Sequence, residues 1–269
     1  MYKSYNQRCL STCPAHILPV CIGLITCSLN LLTNPLVAQV PLIFLGSDVH
    51  TNVDEPGELG FHSLFDGQTL DGWQAAPSST TDAWTVQDGV LVGNGNRGVG
   101  YLIYTRDKQL SNFELRFRYR FIGRGNSGVS IRAVHDPTKK RLFQSYHADL
   151  GHTGIGKQIL GAWDFHTPER TEHRCHRGDR LVIDKQDKPE VTPIKDGLTK
   201  NDIRPRDWND ARIIARNNHF QFYINHKLAS EFTENLPPNR RLGPGMLMLQ
   251  IHDRNMVVHF KDLRIKRLD

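Results

Sequence analysis

Disulfide bonding is the first thing this chain does without. Four of its five cysteines, Cys9, Cys13, Cys21 and Cys27, crowd into the N-terminal stretch, and Cys175 stands alone in the rest. Once that stretch is removed no intramolecular disulfide framework is possible, so the domain has to be held by its apolar core. The remaining chain is long enough to build one. Basic runs are missing as well. The formal net charge of +6 is spread along the chain, with Lys3 and Arg8 contributing near the N-terminus. Aromatic residues do not interleave with Lys or Arg along a strand, so nucleic acid is not an expected partner. No Gly-rich phosphate loop joins a strand to a helix, which argues against a nucleotide cofactor. Helical periodicity is scarce throughout. The one long apolar stretch, from about Ile17 to Leu32, is interrupted by Pro19, Ser28 and Asn30. A permanent membrane span wants about 20 predominantly apolar residues, so none is expected.

What is present at the N-terminus has the order of an export signal. Lys3 and Arg8 precede the apolar stretch, which ends in Pro35-Leu36-Val37-Ala38 before Gln39. This pattern predicts a signal peptide over residues 1–38 with cleavage after Ala38, and a periplasmic or extracellular destination. A lipoprotein signal ending at Cys27 is the alternative, with Thr26 an unfavourable residue before the cysteine. Residues 39–59 show no sustained period and read as a linker. Residues 60–269 read as one domain.

Within that domain, short alternating runs are separated by turn residues, the pattern of an antiparallel sandwich. Trp84-Thr85-Val86-Gln87 and Val90-Leu91-Val92 flank Asp88-Gly89, a two-residue hairpin signal. Phe113, Leu115, Phe117, Tyr119 and Phe121 alternate with Glu114, Arg116, Arg118 and Arg120, predicting a long strand with one face in the core. Arg212–Ala215, His219–Ile224 and Lys227–Ser230 form a second hairpin set, and Val257–Phe260 with Leu263–Lys266 closes the chain. Asp184 to Asp207, poor in apolar residues, reads as a surface loop.

Three further strands carry the chemistry: Asn126-Ser127-Gly128-Val129-Ser130-Ile131-Arg132, Tyr146-His147-Ala148-Asp149-Leu150 and Leu247-Met248-Leu249-Gln250-Ile251-His252. Strand side chains alternate between faces. Val129, Ile131, Tyr146, Ala148, Leu150, Leu247, Leu249 and Ile251 are thereby expected in a core. Asn126, Ser130, Arg132, His147, Asp149, Gln250 and His252 are expected on the opposite face. Solvated sheet faces usually carry Lys, Glu and Thr; this selection instead suits a hydroxyl-rich ligand.

Several motifs in this order resemble a known family, the 3-keto-disaccharide hydrolase domain. They are Phe61-His62-Ser63-Leu64-Phe65-Asp66-Gly67 with Leu70-Asp71-Gly72-Trp73, Trp84 with Asp88-Gly89-Val90-Leu91, and Asn112-Phe113-Glu114-Leu115. Gly125-Asn126-Ser127-Gly128-Val129 with Ile131-Arg132, Trp208-Asn209, Leu249-Gln250-Ile251-His252 and Phe260–Lys266 complete the set. The resemblance implies an all-β, concanavalin A-like jelly roll of two curved antiparallel sheets with a concave saccharide-binding face. It also implies an exported enzyme that cleaves glycosides already oxidised at the sugar 3-position. The chain departs from the family where Tyr146-His147-Ala148-Asp149 replaces a Tyr-Gln-Ala-Asp type segment. Gly161-Ala162-Trp163-Asp164-Phe165 and the turn Asn225-His226 depart likewise.

A 3-keto group acidifies the hydrogen at C2, so that a base can remove it, the group at C1 can leave, and water can add to the unsaturated sugar. This needs a base, donors for the enolate oxygen and an acid for the leaving group. The expected assignments are Asp149 or His147 as base, Arg132 with Asn126 as donors, and His252 as acid or metal ligand. Ser130, Gln250, Trp163 and Asp164 are expected to contact the saccharide. Competing readings are an Arg132–Asp149 ion pair between strands and a divalent metal held by His147, His252 and Asp149. Trp163 could cap the core rather than stack on sugar, and Gly125 and Gly128 serve close packing or a bulge. His166, His173, Cys175 and His176 match no closed zinc spacing. A retaining or inverting glycosidase would need a second carboxylate across the scissile bond, and no Glu partner sits in a strand motif. The alternative function is a non-catalytic, lectin-like carbohydrate-binding module on the same fold.

Overall fold

The computed structural model describes residues 59–268. The expected signal peptide and all but the last residue of the expected linker lie outside the described residues. Strict alternation makes the central strand, Phe113–Phe121: its five aromatic and aliphatic side chains are buried, while Arg116, Arg118 and Arg120 line the other face half-buried. Glu114 lies among those cations, accepting from Arg116 Nε at 2.6 Å and Arg212 Nε at 2.6 Å, which satisfies its carboxylate on a crowded face.

Among the described residues the strands in chain order begin with β1 (His62–Ser63), β2 (Trp73–Ala76), β3 (Trp84–Gln87), β4 (Val90–Asn94) and β5 (Gly100–Tyr104). Then come β6 (Phe113–Phe121), β7 (Asn126–His135), β8 (Phe143–Gly151), β9 (Trp163–His166), β10 (Asp179–Ile183) and β11 (Pro189–Pro193). The chain ends with β12 (Asn209–Arg216), β13 (His219–Ile224), β14 (Lys227–Glu234), β15 (Met246–Ile251) and β16 (Val257–Arg267). The larger sheet runs β11-β10-β14-β13-β12-β6-β16-β4-β3, with β1 added to β16. The smaller runs β2-β5-β15-β7-β8-β9. Among the described residues all pairs are antiparallel except β10 with β14, which is parallel, so both sheets are predominantly antiparallel as expected.

Turn chemistry follows the sequence. Asp88 and Gly89 both adopt positive φ between β3 and β4. Asn225 and His226 do the same between β13 and β14, so a turn without glycine still takes the left-handed geometry that tight hairpins need. The polar stretch expected as a loop over Asp184 to Asp207 is partly a strand: β11 pairs with β10 as a wholly exposed edge. Its Pro189 and Pro193 lack the N–H of an ordinary strand residue, which suits an edge.

Between the sheets lies one large core containing Val129, Ile131, Tyr146, Ala148, Leu150, Leu247, Leu249 and Ile251, as alternation requires. A second, smaller apolar cluster, Ile103, Ala133, Phe143, Met246 and Met248, sits apart from it. Ile103 and Met248 alternate with core residues along β5 and β15, so this cluster covers part of the outer face of the small sheet. The rest of that face is polar.

Candidate active site

Strand register assembles the polar floor. Met248 on β15 stands opposite Ser130 on β7, Ser130 opposite His147 on β8, and His147 opposite Asp164 on β9. One step along, Tyr101, Gln250, Gly128 and Asp149 form the next row. Residues more than a hundred positions apart in sequence thus become nearest neighbours on one face.

His147 is the centre of this floor and is 1% exposed. Its Nδ1 lies 2.8 Å from Ser130 Oγ, and Ser145 Oγ donates to Ser130 Oγ at 3.2 Å. With Ser130 accepting from Ser145, its own proton is free to point at Nδ1, which leaves the imidazole proton on Nε2. The ring stacks on His166, centroids 4.8 Å apart, and His166 Nε2 is 3.0 Å from Asp164 Oδ2. His147 Nε2 has no hydrogen-bond partner; Asp149 Oδ1 is 3.8 Å away, too far for one. Gly128 is there because of this ring: a Cβ at that position would stand 2.1 Å from His147 Nε2. Burial, and then the neighbouring His166, push the His147 imidazole down to about 3, so it is neutral at physiological pH.

Asp149 is 5% exposed and accepts from Asn126 Nδ2 at 3.5 Å. Burial, reinforced by the charge of Asp164, raises its carboxyl well above the usual range. Asp164 sits at the rim with 31% of its side chain exposed, and a third carboxyl, Glu172, joins it. Asp164 is held low despite its burial by His166 and Glu172, and Glu172 is pushed up to about 7, first by its hydrogen bond to Asp164. Asn126 is anchored through its backbone N–H to Asp253 Oδ2 at 2.7 Å, and Asp253 Oδ1 is 2.9 Å from His252 Nδ1. His252 lies just past the end of β15 with 46% of its side chain exposed. Gln250 Oε1 is buried and unpaired on the floor itself.

The structure therefore brings Asp149, His147, Asn126, Ser130, Gln250 and Asp164 together and sets His252 at the edge. Two expected residues fall elsewhere. Arg132 does not share this face: β7 bulges between Ile131 and Val134, Arg132 takes a φ of 52°, and its guanidinium lies over the Phe220 ring of the core. The bulge inserts an extra residue, so alternation no longer tells which way Arg132 points. It makes no ion pair with Asp149. Trp163 is not a sugar platform but a core residue, packed edge-on to Phe222 and Phe232 at 6.0 and 5.3 Å. Asp164 and His166 follow it on the same short strand and alternate to the polar face, whereas Trp163 and Phe165 alternate inward.

Three residues of this face escaped the sequence reading. His166 was considered only as a member of a metal cluster. Glu172 lies in a loop, where no periodicity marks it. Tyr101 shares the outer face with Ile103 and stands opposite Gln250 in the strand register, with its half-buried ring edge-on to Phe143 at 5.5 Å. Among the described residues no three His, Cys, Asp or Glu side chains converge as metal ligands. His173 instead contacts Asp187 Oδ1 at 2.8 Å, and Cys175 is buried.

Two packed sheets, one with a polar outer face, define a concanavalin A-like jelly-roll sandwich. A family described as the 3-keto-alpha-glucoside-1,2-lyase-like domain matches residues 60–266, and the chain belongs to it. No curated protein matches. Among solved structures, a protein of Parabacteroides distasonis assigned provisionally as a glycosyl hydrolase aligns with a TM-score of 0.52 at 20% identity, over 78% of this chain and 95% of its own. A Bacillus subtilis carbohydrate-binding module aligns at 0.45 and 13%, over 72% and 95%. A Bacillus licheniformis beta-glucanase aligns at 0.44 and 10%, over 78% and 99%.

Proposed function

We propose that the chain cleaves 3-keto-glycosides at the polar floor of the small sheet, with Asp149 as the base that removes the proton at C2. The observation that carries this reading is a buried carboxyl with a raised affinity for protons, 3.8 Å from a neutral imidazole. A base whose pKa lies nearer the working pH is more effective than an ordinary carboxylate. His147, held in one tautomer by Ser130, serves as an Nε2–H donor to the developing enolate oxygen, and Asn126 Nδ2 is a second donor. A group that protonates only near pH 3 is a poor base, which supports Asp149 over His147 in that role.

Loss of the C2 proton to Asp149 places the electron pair in the enolate. Its collapse expels the C1 oxygen, which takes a proton from an acid at the rim. Glu172, still partly protonated near neutrality, and the exposed His252 are placed for this. Water then adds across the new double bond, and the sum is hydrolysis. Gln250 and the Tyr101 ring offer a hydrogen-bond acceptor and an apolar platform to the sugar. The N-terminal pattern supports export to the periplasm or beyond.

A non-catalytic carbohydrate-binding module is the second reading, favoured by an unpaired amide, Gln250, on a strand next to Tyr101. Product analysis separates the two, using a 3-keto-glucoside and its unoxidised parent with the wild-type chain, Asp149→Asn, and a chelator-treated sample. Cleavage of the keto sugar alone, reduced at least about a hundredfold in Asp149→Asn, is expected. Saturable binding of either sugar without turnover would establish the module instead, and loss of activity on chelation would add a divalent metal to the mechanism.

A further inference from the structure

The bulge that removes Arg132 from the polar floor delivers it to a cavity of about 240 Å³ at the mouth of the sandwich. Arg132 and Tyr146 reach this space from the small sheet, and Phe220 and Glu234 from the large one. Arg241 and the side chains of Asn112, Asn217 and Asn218 also line it. The electrostatics of the cavity are out of balance. Arg132 is 4% exposed, yet its Nε has no partner, and its Nη2 reaches only the Asn217 carbonyl at 3.3 Å. Arg241 also leaves its Nε buried and unpaired. Among the described residues neither guanidinium forms an ion pair. The single carboxylate on the wall, Glu234, is engaged elsewhere, by Arg170 through one oxygen and by the Tyr146 hydroxyl through the other.

A buried guanidinium without an anion is costly, and a second one beside it adds repulsion. Burial and the charge of Arg241 both depress the basicity of Arg132, which places the two cations within each other's field. From this geometry we infer that the cavity is a binding site for a small carboxylate, of the size and hydroxyl content of a monosaccharide acid. A carboxylate matches the planar donor edge of each guanidinium. Asn112 is bonded to Asn217, and Asn218 Nδ2 to Glu234 and Asn235, which leaves Asn217 Nδ2 and Asn218 Oδ1 for ring hydroxyls; the volume admits one sugar ring. The negative Glu234 on the same wall favours a singly charged ligand over a dianion. This site stands on the core side of β7 and β8, away from the His147 floor, and does not depend on the reaction proposed there.

Calorimetric titration of the full chain with D-glucuronate, D-glucose and inorganic phosphate tests it. Glucuronate is expected to bind saturably, and more weakly as salt is raised, while glucose at the same concentrations gives no saturable heat. Arg241→Gln, a change at the cavity rim, is expected to weaken glucuronate about tenfold or more, with circular dichroism unchanged. Arg132→Gln is expected to do the same if it folds, and Arg241→Gln carries the test if it does not. Absence of glucuronate binding, equal binding of glucose, or full affinity in Arg241→Gln would overturn the site. Phosphate binding tighter than glucuronate would overturn its assignment to a carboxylate.

Discussion

His147 is the residue on which the polar floor turns, because it is buried, neutral and replaces an amide expected from the family resemblance. Its folded-state value, about 3, lies below the ordinary histidine range. The stability it contributes is therefore complete above about pH 6.5 and is lost as pH falls from there towards 3, at up to about 1.4 kcal/mol per unit. Asp149 behaves in the opposite sense. Its protonated form is favoured by burial, so its contribution is complete at low pH and is lost as pH rises through its elevated value. Urea midpoints measured across the acid-to-neutral range should show both flanks. His147→Gln is expected to flatten the acid flank and Asp149→Asn the neutral one; flanks unchanged in both variants would mean that neither group titrates as its burial demands.

At the scale of elements, β8 ties the two sheets together through a charged cluster rather than through packing alone. The Tyr146 hydroxyl donates to Glu234 on β14, Arg170 from the loop after β9 donates to the other oxygen, and the Leu242 N–H donates to the hydroxyl at 3.0 Å. Glu234 is fully buried, so removing Arg170 would strand its charge. Arg170→Met should lower unfolding free energy by about 3–5 kcal/mol, whereas Glu234→Gln, which keeps a hydrogen-bond acceptor for Tyr146, should cost less. Denaturant unfolding of the two variants checks that order. The neighbouring bulge in β7 depends on Gly245, where a Cβ would come 2.6 Å from the Arg132 carbonyl carbon, so the adjoining segment must lack a side chain for the strand to turn Arg132 inward.

Across the described residues, cohesion comes from one inter-sheet core with no disulfide. Cys175 is 1% exposed, its thiol donates to the Glu231 carbonyl of β14, and burial raises the thiol far above the usual range. Such a cysteine neither joins two chains nor reacts in the folded state. An aromatic disulfide reagent should leave the native domain unlabelled and titrate Cys175 only after denaturation, and the unfolding midpoint should be the same with and without reductant. Rapid labelling of the native chain would contradict the burial on which this rests.

Much of this was legible residue by residue. Alternation placed every expected core side chain of β7, β8 and β15 correctly, and the Asp88-Gly89 turn fell where a hairpin needs positive φ, because both are properties of a few consecutive residues. The same periodicity put His147, Asp149, Ser130 and Gln250 on one face. It could not show that β9 lies against β8, which is what brings Asp164 and His166 to His147, since pairing between distant strands leaves no local mark. It placed Arg132 on the wrong side because a single inserted residue reverses the parity of a strand. Glu172 comes from a loop, and the cavity beside Arg241 from strands of both sheets together with the segments between them; these side chains meet only after the sheets have packed, so tertiary structure alone decided them.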